Sequence, residues 1–66
     1  RLGDLEGAIQ DFDKAIEISP KDGNAYFNRG ISMEMSGDMS NACVDWRKAL
    51  DLGHDPAAKF LSKNCQ

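Results

Sequence analysis

Along the first eighteen positions, apolar residues recur three or four apart. Leu5, Ala8, Ile9, Phe12, Ala15, Ile16 and Ile18 therefore form one stripe on a helix. Asp4 is placed to cap its N-terminus, and Pro20 ends it by lacking an N–H and pushing Ser19 out of the helical region. The pattern predicts a first helix over 4–18. A second is predicted over 23–36, with Asp22 or Gly23 at its cap and Gly37 at its end. On that helix Tyr26, Gly30 and Met33 share one face, whereas Asn24, Phe27, Asn28, Ile31, Glu34 and Met35 lie broadly on another. A third, predicted over 39–52, opens with Asp38 and carries Ala42, Cys43, Trp46, Ala49, Leu50 and Leu52. Asp55-Pro56 reads as an N-cap followed by proline in the first helical position, which starts a last helix over 56–64 with Ala57, Phe60 and Leu61 as its apolar side and Lys59, Ser62 and Lys63 outside. The connections are short enough to make consecutive helices antiparallel.

The pattern also repeats. Gly3-Asp4-Leu5, Ala8, Phe12, Lys14-Ala15-Ile16 and Ile18 return 34 residues later as Gly37-Asp38-Met39, Ala42, Trp46, Lys48-Ala49-Leu50 and Leu52. Self-similarity at such a period marks stacked units that bury their apolar faces against one another. The small residues Ala8, Ala15, Gly30, Ala42 and Ala49 suit places where two helix backbones approach closely. Phe12, Tyr26 and Trp46 suit the holes between helix pairs.

In these residues the chain resembles tetratricopeptide repeats, whose 34-residue unit has an early aromatic, Leu-Gly, a later Tyr, a Gly-Asp turn, then Ala, aromatic, Ala and Pro. Tyr26, Gly30, Met33, Gly37-Asp38, Ala42, Trp46 and Ala49 fill one unit in order. Gly3-Asp4, Ala8, Phe12, Ala15 and Pro20 fill the second helix of the unit before it. Arg29 stands where Leu is commonest, Met33 replaces Tyr, and His54 falls where Pro is expected, with proline displaced to Pro56. The resemblance implies an all-α solenoid fragment of about four helices: helix B of a truncated repeat over 1–20, a complete repeat over 21–54, and a capping helix over 55–66. A start on an interhelix turn, without methionine or an apolar signal core, reads as a piece cut from a longer array.

The resemblance further implies a non-enzymatic module that binds a protein or peptide on a concave face lined by the first helix of the complete repeat. The residues expected there are Asn24, Phe27, Asn28, Ile31, Glu34 and Met35. Asn28 leads, because an amide donates and accepts together. Phe27 and Ile31 are expected either as an apolar floor for a partner's side chain or as contacts to a preceding repeat. The rival expectation is a purely structural end to a longer array, with recognition in upstream repeats. A stripe over 5–18 left half bare is expected to drive self-association through Leu5, Ile9, Phe12 and Ile16.

Composition narrows the remaining choices. A net charge of −3 gives no basic stripe for a nucleic-acid backbone, and no apolar run reaches membrane-spanning length. Seven acids against four bases over residues 1–34, with four of each over 35–66, put the acidity in the first half as a solvated face. Cys43 and Cys65 are too few for a zinc site. Antiparallel packing of the last two helices brings position 65 back to the level of position 43. A disulfide is thus open beside the alternative of a buried Cys43 and a frayed Cys65 thiol, and the compartment is open with it. His54, beside Asp55, reads as a helix-end residue, with no nucleophile directed at it. No cofactor, metal or catalytic group is expected.

Overall fold

The computed structural model describes residues 2–65, with side chains from Leu5 onward. Helices α1 (Leu2–Ile18), α2 (Gly23–Met35), α3 (Met39–Asp51) and α4 (Ala57–Asn64) follow one another, with no strand among the described residues. Each helix packs on the next: α1 on α2, α2 on α3, and α3 on α4.

The turns explain the boundaries. Asp22 caps α2 by accepting hydrogen bonds from the backbone of Asn24 and Ala25 at 3.1 and 3.3 Å. Asp38 does the same for α3 through Asn41, at 3.2 Å. The end of α2 is a Schellman turn: the Gly37 N–H donates to Glu34 and that of Asp38 to Met33, at 3.0 and 2.8 Å. This closure needs the left-handed backbone that Gly37 adopts at φ 94°. The end of α3 repeats it, with Gly53 donating to Leu50 and His54 to Ala49.

Two cap expectations fail. Helix α1 already includes Leu2, so Asp4 sits inside it and not at its cap; the Asp4 side chain lies outside the described residues. At the other end α4 begins at Ala57, not Pro56, and no side chain caps it. The carbonyls of His54 and Asp55 take the N–H groups of Ala57 and Ala58 instead, so the first turn is closed by backbone and the Asp55 carboxylate is not called upon.

The core forms where α3 meets its neighbours. Ala42, Trp46, Ala49 and Ala57 are fully buried, and Tyr26, Phe27, Ile31, Met33, Leu50, Phe60 and Leu61 pack around them. A Cβ built on Gly30 would stand 2.6 Å from the Trp46 Nε1, so the indole fits because position 30 has no side chain. The Trp46 Nε1 is buried without a hydrogen-bond partner. The apolar burial of a full indole outweighs the cost of one orphaned donor, which is about 1–3 kcal/mol.

Candidate functional site

Helix α2 carries all six candidate residues on consecutive turns, and they differ in exposure. Asn24 and Met35 are exposed at its two ends, Met35 at 65%. Asn28, Ile31 and Glu34 are half-buried between them. Among the described residues the Asn28 amide has no hydrogen-bond partner. Phe27 is held from the C-terminal side: its ring lies 4.5 Å from that of His54 and 5.0 Å from that of Phe60, edge-on to the latter. Phe60 in turn stands 5.1 Å from Trp46. Phe27 thus joins α2 to α4, and the His54 ring is part of an apolar wall.

Between the last turns of α2 and the outer face of α4 lies a cavity of about 280 Å³, lined by Glu34, Lys59, Phe60, Lys63 and Asn64. Phe60 is the apolar member of that lining, and Glu34, Lys59 and Lys63 are charged. The Asn64 amide nitrogen donates to the Phe60 carbonyl at 3.2 Å, which fixes that corner.

An element the sequence pattern did not reveal is the Arg29 fork. The Arg29 Nε and one terminal nitrogen donate to the two carboxylate oxygens of Asp45, each at 2.8 Å, while the other terminal nitrogen donates to Asp13 at 2.7 Å. The guanidinium also lies 5.4 Å from the centre of the Tyr26 ring. Asp45 is 3% exposed and Asp13 exposed, so one arginine ties buried α3 and the surface of α1 to α2. The Asp45 hydrogen bond raises the Arg29 pKa further above its ordinary value. Partial burial opposes this, and Asp13 adds to it. The guanidinium therefore remains charged throughout the working pH range. Both partners lie 16 residues from Arg29, one helix back and one helix forward, a separation that no local pattern in the sequence marks.

The cysteine alternative resolves towards pairing. Cys43 of α3 and Cys65, just past α4, are joined by a disulfide with Cα atoms 5.8 Å apart, and neither described cysteine is free. Cys65 is not frayed: its N–H still donates to Leu61 of α4 at 2.9 Å, and the disulfide holds it against α3. No group of three or more His, Cys, Asp or Glu side chains placed to hold a metal ion occurs among the described residues. No described helix is long and apolar enough to cross a membrane.

Comparison with known proteins bears on the architecture. A family model described as TPR repeat matches residues 1–37. Tetratricopeptide repeat protein 36 homolog of Nematostella vectensis is 38% identical over 56 residues, which is 85% of this chain and 31% of that protein. Tetratricopeptide repeat protein 36 of Danio rerio is 36% identical over 79% of this chain and 28% of the relative. The Homo sapiens protein is 36% identical over 76% and 26%. The chain thus spans less than a third of the length of these curated relatives. No solved structure gives a significant match.

Proposed function

Because this chain belongs to the tetratricopeptide repeat family, whose members generally mediate protein–protein interaction, we propose that it binds a peptide or protein segment along the exposed side of α2. In this reading Asn28 holds the partner's backbone, Ile31 and Met35 receive an apolar side chain, Asn24 and Glu34 border the contact, and Phe27 is the anchored wall behind it. The Asn28 amide, on a half-buried residue and without a partner among the described residues, carries the proposal. An amide donates and accepts together, so a ligand backbone can form two hydrogen bonds with it. Met35 adds a flexible apolar surface that adapts to different side chains. The chemistry asked of these residues is binding, with no catalytic role.

A phage-displayed peptide library panned on the chain tests this. Selected peptides are expected to lose about tenfold in affinity with Asn28→Ala and less with Met35→Ala, at unchanged melting temperature. Peptides indifferent to both substitutions would refute the α2 site.

A second reading has its own support. The aromatic wall and the Cys43–Cys65 bond clamp α4 over α3, as a cap on the end of a repeat array would be clamped. On that reading residues 1–20 are helix B of a truncated repeat, 21–54 a complete repeat and 55–66 their capping helix, and changes on α2 alter stability but not binding.

A further inference from the structure

Helix α3 is held unequally on its two sides. Towards α2, the Trp46 ring lies against Gly30, and Arg29 grips both carboxylate oxygens of Asp45 while also reaching Asp13 of α1. Those contacts tie α1, α2 and α3 together without any residue of α4. Towards α4 the hold is thinner. That helix has eight residues, too few to persist alone in water, and no side chain caps its start. Its one fully buried residue, Ala57, sits in its first turn. Further along, the half-buried Phe60 leans on Trp46 and Phe27, and the half-buried Leu61 packs beside the same core. The far end is fixed by the covalent bond from Cys65 to Cys43. Neither cysteine is sealed in the core, since both are half-buried.

We propose that the Cys43–Cys65 bond is a redox latch: reduction by a dithiol frees α4 from α3 while α1, α2 and α3 stay folded, and reoxidation docks it again. One thiolate of the reductant attacks a sulfur of the bond, and the other cysteine leaves as a thiolate and takes a proton. The reductant's second thiol then closes its own disulfide and releases the first cysteine, so that two electrons and two protons reach the chain. Once the loop is open, α4 is tethered only through residues 52–56, and the entropy that the bond had removed favours its release. The latch controls the cavity between α2 and α4. Lys59, Phe60, Lys63 and Asn64 leave together, Glu34 loses the wall facing it, and Phe27 loses the ring at its edge. Oxidising conditions therefore present the cavity and reducing conditions withdraw it. The latch does not depend on the binding role assigned to α2 above.

Amide hydrogen exchange of the whole chain, read by mass spectrometry with and without dithiothreitol, tests the latch. Reduction is expected to quicken exchange over 57–64 about a hundredfold and to leave α2 and α3 protected. Emission from Trp46, the chain's only tryptophan, should move to the red as Phe60 uncovers it. Far-UV circular dichroism should lose no more helix than the eight residues of α4. Reoxidation by glutathione disulfide should restore all three readings. A chain carrying both Cys43→Ser and Cys65→Ser should show the open form with and without the reductant. Exchange over 57–64 that reduction leaves unchanged would overturn the proposal, because α4 would then be held by packing alone. So would protection lost alike from every helix, for the bond would then be a staple of the whole fold. Slow exchange over 57–64 in the double-serine chain would overturn it as well.

Discussion

Helices α1 and α3 are near copies in sequence and unlike in role. Phe12 and Trp46 occupy equivalent positions, yet the first is half-buried and the second fully buried. The difference is what stands beside each helix. Helix α3 lies between α2 and α4, whereas α1 packs on α2. A residue in a stacked-helix architecture becomes core when a neighbour covers it, and its chemical type alone does not decide the matter. The same holds for charge: Asp45 is a buried anchor and Asp11 a solvated acid, at the same register one repeat apart.

That contrast can be broken most forcefully at the aromatic pair. Trp46→Ala should cost about 3–5 kcal/mol, most of the stability of a domain this size, because the indole is fully buried. Phe12→Ala should cost about half as much or less, since part of its ring is already wet. Thermal unfolding by circular dichroism reads both, and equal losses would show that α1 and α3 are equally covered.

The α4 side of α3 is sharpened next by Cys65→Ser. Opening a bridge that spans 22 residues should lower stability by about 3 kcal/mol. Urea unfolding with and without a dithiol reductant checks it. The variant should be insensitive to the reductant and match the reduced parent.

The glycines give a smaller effect of opposite sign. Gly30→Ala should destabilise by about 1–3 kcal/mol, because its Cβ would meet the Trp46 ring. Gly7→Ala, where a Cβ meets nothing within 4 Å, should stabilise α1 by about 0.5–1 kcal/mol. A common sign for the two midpoint shifts would contradict the packing described.

Much of this was legible from the chain. Apolar spacing, the Asp22 and Asp38 caps and the Gly37 turn fixed four helices to within two residues at each end, since these signals are local and the physics that reads them is local. The Asp55 cap misled because a turn closed by backbone carbonyls satisfies the same N–H groups without a side chain. Arg29 was read as a variant in a leucine position. Its meaning depends on two carboxylates on neighbouring helices, and pairings at that distance leave no periodic trace in one sequence. The cysteine pairing stayed open for a related reason: it turns on whether the last residues stay against α3. For the candidate surface, sequence placed the six residues on α2, but it could not tell Phe27, walled in by His54 and Phe60, from Asn28, whose amide has no partner among the described residues.

One pair of identical substitutions tests the contrast with the fewest assumptions: Asp45→Asn beside Asp11→Asn, each followed by equilibrium urea unfolding. Removing the buried charge beside Arg29 should cost about 3–5 kcal/mol. The same change on the exposed acid should stay within about 0.5 kcal/mol of the parent. Equal losses at the two positions would contradict the account, for then the covering helix would not be what separates core from surface.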